Sequence, residues 1–202
     1  MSGPRRVLLL GGGYVTLHAY AALVRRLRRE LRRGDVEVVV LSADDAHSFH
    51  GFTGEAVAGL LPYELTRTPL APAMPRARVV HGRALRVDPR RREVVYEPAA
   101  GGRAVLAYDE LVVGTGSREP VRDVPGLATY GCTLRVPGDI PELVDRVRRL
   151  AAGSAGAGLG TVVVAGGGLG GVELAAALAD RGRLPGGGSV LRVVLVHSGE
   201  RV

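Results

Sequence analysis

The sequence predicts an α/β fold of two Rossmann-like units with parallel sheets, the first carrying an inserted antiparallel β-meander. Three observations predict it. Residues 7–30, VLLLGGGYVTLHAYAALVRRLRRE, read as a buried strand, a glycine turn and an amphipathic helix. The design returns 155 residues later in residues 161–179, TVVVAGGGLGGVELAAALA. Between the two copies, residues 77–107 form short alternating runs separated by Asp88-Pro89-Arg90 and Ala100-Gly101-Gly102, the pattern of antiparallel strands joined by turns.

The first copy opens with the apolar run 7–10. Gly11, Gly12 and Gly13 then make a tight turn. Gly11 lets the chain leave the strand sharply, and Gly13 has no Cβ to obstruct a pyrophosphate. The helix that follows, with Leu17, Tyr20, Ala21, Val24, Leu27 and Leu31 on one side, offers free N–H groups and a partial positive charge to that anion. Thr16 departs from the pattern, standing where the third glycine of G-x-G-x-x-G belongs. Gly34-Asp35 closes the unit's first turn, and 36–41 is the second strand. At its end a carboxylate is expected on an adenosine ribose; here Ser42 stands there, with Asp44 and Asp45 just beyond.

Residues 47–61 begin irregular and become a short helix, and His47, Phe49 and His50 are candidates to line a flat aromatic cofactor or simply to pack as a loop. The proline-bearing stretch 70–75 is a connector, 77–81 a third strand, and 84–87, 93–96 and 103–107 the meander. Strand 111–113 ends in Gly114-Thr115-Gly116-Ser117, small residues that let a ligand approach the backbone. Residues 127–136 read as a hinge, 139–150 as an amphipathic helix and 151–160 as a loop. The second copy follows with strand 162–165, Gly166, Gly168 and Gly171 as the complete fingerprint, and a helix through Glu173, Leu174 and Leu178. After the glycine-rich loop 182–189 and strand 190–196, His197 takes the ribose position, 31 residues after Gly166 as Ser42 is 31 after Gly11. With Ser198 and Arg201 it would tolerate a 2′-phosphate, so NADH and NADPH both remain open.

Composition excludes several classes. The 202 residues carry a net charge of +7, yet all 27 basic residues are Arg and there is no Lys, Asn, Gln or Trp. The arginines are scattered rather than interleaved with aromatics, so no nucleic-acid partner is expected. The one dense block, Arg25 to Arg33, sits late in the first helix, where cations suit the dipole, and reads as a solvated face. Cys132 is the only cysteine, which excludes a disulfide framework or C-x-x-C pair and fits a cytoplasmic setting. Glycines and Glu173 argue against reading 161–179 as a membrane span. We read no metal site.

The order of parts carries a resemblance: a glycine fingerprint, a meander, Tyr108-Asp109-Glu110-Leu111-Val112-Val113-Gly114-Thr115-Gly116-Ser117, Pro125-Gly126, then a second fingerprint leading into Val172-Glu173-Leu174-Ala175. Over nearly the whole chain this resembles the FAD-dependent pyridine nucleotide oxidoreductases with two dinucleotide-binding domains. Within them it looks most like the type II NADH dehydrogenase (NADH:quinone oxidoreductase) branch. The disulfide-reductase branch needs a redox cysteine pair and the sulfide:quinone branch works through several cysteines, and this sequence has one.

The resemblance implies an FAD-binding domain at 1–125 and an NAD(P)-binding domain at 126–202. Gly11, Gly13, Ser42, Thr115 and Gly116 would hold FAD, with Gly12 in the same turn. Gly166, Gly168 and Gly171 would hold NAD(P)H, with His197 at the ribose. Glu173 would orient the transfer between nicotinamide and flavin, its alternative being an acid that complements the helix dipole from the first turn. Gly114 stands where the family often has alanine, a change expected to be harmless. The family also has a second FAD-contacting segment and a C-terminal domain that carries homodimer or membrane contacts. The expectation is therefore an N-terminal piece of a longer cytoplasmic enzyme, peripheral on the inner face of the cell membrane. The implied activity passes a hydride from NAD(P)H to flavin and electrons to a quinone or similar acceptor, by aligning two rings rather than by acid–base chemistry. A non-catalytic FAD/NAD(P)-binding sensor or subunit, and a ferredoxin-type reductase of the same fold, are the alternatives.

Overall fold

The structure is a computed structural model and describes residues 3–117, 119, 121–135, 138–157, 159–183 and 189–199, with the backbone alone at 154–157. By contacts the chain divides into two units, residues 1–48 with 68–117 and residues 49–67 with 118–202. The single division at 125/126 expected from the sequence differs in two respects, the first being that the boundary falls at 117/118. The excursion 49–67 leaves the first unit and packs with the second.

In the first unit, β1 (Arg5–Leu10) leads through the glycine turn into α1 (Tyr14–Arg26). The helix expected to run on past Leu27 breaks there, where Leu27 has φ −110° and ψ 30°, and resumes as α2 (Arg28–Arg33). Like charges four apart, Arg25 with Arg29 and Arg28 with Arg32, oppose a continuous helix through this segment. Gly34, left-handed at φ 76°, ends α2 ahead of β2 (Val36–Ser42). A short strand β3 (Ala46–Ser48) follows, and after the excursion come β4 (Arg67–Pro69) and α4 (Leu70–Ala73), a helical turn where a plain connector was expected.

The third strand and the first meander strand of the sequence reading are one element, β5 (Ala77–Asp88). Its first half pairs parallel with β2, from Val38↔Ala77 to Ser42↔His81. Its second half pairs antiparallel with β6 (Glu93–Pro98), with a bulge between Ala84 and Arg86. β7 (Ala104–Ala107) completes the meander and β8 (Glu110–Val113) returns to lie parallel to β1. The sheet order is β7-β6-β5-β2-β1-β8.

Period-two alternation explains why this sheet is covered on both faces. Val7 and Leu9 with Val38 and Val40 face Tyr20, Leu70 and Met74 on one side. Leu8 and Leu10 with Val39 and Leu41 face Val94 of β6 and Leu106 of β7 on the other. The meander thus curls over the centre of its own sheet. Each of these near-completely buried aliphatic side chains contributes roughly 2 kcal/mol of transfer free energy.

In the second unit, α3 (Thr53–Val57) stands in the excursion, α5 (Leu127–Tyr130) lies in the expected hinge, and α6 (Asp139–Ala157) continues through the alanine-rich stretch expected to be a loop. Alanine is the best helix former, which favours the continuation. β9 (Gly160–Ala165), the second glycine loop, α7 (Leu169–Gly182) and β10 (Leu191–Val196) follow, and β9 and β10 pair in parallel. Their core joins Val57, Ile140, Val147, Val164, Leu174, Leu178 and Leu191. Among the described residues no helix is long and apolar enough to cross a membrane.

Candidate nucleotide-binding loops

Sheet topology fixes where a ligand can enter the first unit. From β1 the chain passes to β2 on one side, while β8 pairs on the other side, with Leu10 opposite Val113. A crevice opens beyond the carboxyl ends of strands where connections diverge in this way. The glycine turn after β1 and the Gly114-Thr115-Gly116 loop after β8 meet there.

Their contact is tight. Gly11 has φ 97°, and a Cβ on it would lie 2.2 Å from the Gly114 carbonyl oxygen and 3.3 Å from Thr115 Cα. Thr115 and Gly116 are exposed, Gly116 at φ 72°. A Cβ on Gly114 would fall 2.9 Å from Val15 Cβ, so glycine fits beside Val15 where an alanine would force a shift.

All three turn carbonyls are bonded within the unit. Gly11 O accepts from the Thr16 hydroxyl at 2.6 Å, Gly12 O from His47 Nδ1–H at 3.1 Å, and Gly13 O from Leu17 N–H at 3.1 Å. Gly13 caps α1, and the N–H groups of Gly12, Gly13 and Val15 have no partner among the described residues. Unpaired amides at a helix's positive end are an anion site. The chemistry of this donor set therefore fits a pyrophosphate.

Ser42 is only 4% exposed. Its hydroxyl accepts from Asp44 N–H at 3.3 Å and lies 2.9 Å from where a Cβ on Gly12 would be. It closes its own turn and packs against the glycine loop rather than presenting itself at the surface. His47 is buried, edge-on to Tyr14 at 4.7 Å, so it supports the loop instead of lining an open surface. Phe49 and His50 belong to the second unit and are exposed, Phe49 lying 5.4 Å from the ring of Phe52.

The second loop repeats the plan with different packing. Gly166 has φ 120°, and its N–H donates to Val196 O at 2.8 Å as Gly11 N–H donates to Leu41 O. A Cβ on Gly171 would stand 2.0 Å from Gly166 O, so the third glycine lets α7 approach β9 closely. Gly168 caps α7, and the N–H groups of Gly167, Gly168, Leu169 and Gly170 have no partner among the described residues. His197 is half-buried, and a Cβ on Gly167 would lie 2.8 Å from His197 Cβ and 3.0 Å from Cγ. Positions 42 and 197 thus pack on the middle glycine of their own loops, which supports their equivalence. Arg201 lies outside the described residues.

Glu173 is exposed, and no described residue bonds its carboxylate. Because α7 starts at Leu169, Glu173 lies in the second turn and not the first, which weakens the dipole explanation. Its backbone is met by α3, where a Cβ on Gly54 would come within 3.4 Å of Glu173 C and O. Sequence reasoning missed Gly54; the small residues Gly54, Ala56 and Ala58 were the available signal. An open groove of about 570 Å³ lies at the opposite end of the first sheet, lined by Arg32, Val36, Glu37, Arg76 and Arg78, and neither glycine loop reaches it.

Comparison with known proteins agrees with this geometry. The family model described as pyridine nucleotide-disulphide oxidoreductase matches residues 29–202. A demethylphylloquinone reductase of Synechocystis is 31% identical over 87% of this chain and 43% of its own length. An NADH dehydrogenase-like protein of Mycobacterium tuberculosis is 32% identical over 95% of this chain and 47% of its own. The chain thus spans under half the length of these curated relatives. In fold it is similar to NDH2 of Plasmodium falciparum solved in complex with NADH, with TM-score 0.74 and 15% identity over 88% of this chain and 37% of that one.

Proposed function

Because the chain belongs to the pyridine nucleotide-disulphide oxidoreductase family, we propose that it seats two dinucleotides, FAD on the first glycine loop and NAD(P)H on the second. It would serve an NAD(P)H oxidoreductase whose electrons leave to a quinone or similar acceptor. One observation carries this reading. Two loops of the same design each present unpaired amides at a helix N-terminus, with the room beside them kept by the absent Cβ of Gly11 and of Gly171.

In this reading the amides of Gly12 and Gly13 hold the FAD pyrophosphate, and the exposed Thr115-Gly116 backbone borders it. Gly166, Gly168 and the first turn of α7 hold the pyrophosphate of NAD(P)H. His197 stands at its ribose, and the unpaired carboxylate of Glu173 orients the nicotinamide end. FAD held there would supply the redox chemistry between NAD(P)H and the acceptor. The protein's part is to fix positions and exclude competing reactions. A quinone is favoured as acceptor by the name of the Synechocystis relative, a quinone reductase.

The test is to purify the full gene product and look for bound flavin, then add NADH and NADPH without oxygen. Bleaching of the yellow colour supports the enzyme. Persistent colour with nucleotide bound would support a sensor instead, and protein that never takes up FAD would refute the proposal. Comparing a quinone, a ferredoxin and oxygen as oxidants then identifies the acceptor.

A further inference from the structure

The two loops differ at one corresponding position. Five residues beyond its first glycine the second loop has Gly171, held against the Gly166 carbonyl with no room for a Cβ. At the same spacing the first loop has Thr16, which breaks the fingerprint. Thr16 is completely buried, and its hydroxyl donates to the Gly11 carbonyl at 2.6 Å. The residue that spoils the motif therefore bonds the atom against which the missing glycine would have packed. His47, 7% exposed and buttressed by Tyr14, donates to the next carbonyl, Gly12 O.

Peptide planarity gives these two bonds a consequence on the far side of the loop. In a trans peptide the C=O of one residue and the N–H of the next point in opposite directions. Holding Gly11 O inward turns Gly12 N–H outward, and holding Gly12 O inward turns Gly13 N–H outward. Both amides are without partners among the described residues. In the second loop no side chain of a described residue bonds Gly166 O or Gly167 O.

We propose that Thr16 and His47 are positioning residues that lock the Gly12 and Gly13 amides toward the pyrophosphate, making the first loop the more preorganised of the two. Preorganised donors do not have to be ordered when the anion arrives, so binding is tighter and release slower. The first loop then keeps its nucleotide while the second exchanges. This rests on the assignment of FAD to the first loop.

The test is a pair of isosteric variants in the full chain, Thr16→Val and His47→Phe, with Thr16→Ser and His47→Asn as rescues that keep a donor near the same place. FAD and NAD(P)H affinities are measured by fluorescence titration. Each of the first two variants is expected to weaken FAD about tenfold or more, the scale of one hydrogen bond to a charged group. NAD(P)H affinity should change less than about threefold, and the rescues should restore most of the FAD affinity. Unchanged FAD affinity, equal loss of both nucleotides, or failure of both rescues would overturn the proposal. Wild-type protein that binds NAD(P)H but no FAD would instead remove the underlying assignment, and the proposal with it.

Discussion

Replacing Gly11 by alanine probes the first loop most severely. Alanine at φ 97° carries the left-handed penalty, about 1–2 kcal/mol. Its methyl would also sit 2.2 Å from the Gly114 carbonyl oxygen and 2.9 Å from that carbonyl's carbon, far inside van der Waals contact. Neither side can yield cheaply. Gly11 N–H is bonded to Leu41 O and Gly114 N–H to Leu10 O, both at 2.8 Å. Overpacking of this kind costs about 1–3 kcal/mol, so the total is about 2–5 kcal/mol. Gly34→Ala is the control. Gly34 has φ 76° but nothing within 4 Å of an added Cβ, so only the same backbone penalty of about 1–2 kcal/mol applies, without the overpacking. Urea unfolding of both variants, with FAD titration in parallel, separates the two contributions. Gly11→Ala should lose clearly more stability than Gly34→Ala and at least tenfold in FAD affinity, a loss that Gly34→Ala does not share. Equal destabilisation by the two substitutions would refute the reasoning from the Gly11–Gly114 contact.

Three further outcomes follow from the geometry. Gly171→Ala puts a methyl 2.0 Å from Gly166 O, so it should weaken NAD(P)H about tenfold or more while FAD binding holds; titration of both nucleotides checks it. His197→Asp places a carboxylate at the ribose position and should shift the NADH-to-NADPH affinity ratio about tenfold toward NADH, read by competition titration; an unchanged ratio would remove His197 from that site. Partial burial alone would raise the carboxyl of Glu37, but hydrogen bonds from Arg78 and Arg6 outweigh it and hold it below its ordinary value of 4.5. A lowered folded pKa contributes stability above the unfolded value that is lost as pH falls through the folded one. Wild type should therefore exceed Glu37→Gln in unfolding midpoint at neutral pH, and the gap should close on acidification below pH 4.5. A gap that does not change with pH would contradict that assignment.

Where spacing alone decides structure, the sequence was readable. Both glycine loops, the alternating strands and the meander needed only local periodicity, and Gly166, Gly168 and Gly171 occupy the places their spacing required. What was not legible depended on contacts between distant residues. Thr16 looked like a defect because its acceptor becomes visible only when the turn is built. His47 lies 35 residues from the carbonyl it bonds, and the fit of Gly114 to Val15 spans 99 positions. The allocation of 49–67 to the second unit was hidden for the same reason, since it rests on Gly54, Val57 and Ala58 meeting α6 and α7. The break at Leu27 was missed because apolar periodicity continues through it while the arginines repel.

The central claim is that each loop holds its own dinucleotide, and a count of bound nucleotide tests it most directly. Equilibrium dialysis of the full chain with FAD and NAD(P)H together should give one of each per chain, with Gly11→Ala removing FAD alone and Gly171→Ala removing NAD(P)H alone. A single class of site shared by both nucleotides, or loss of both from either substitution, would contradict it.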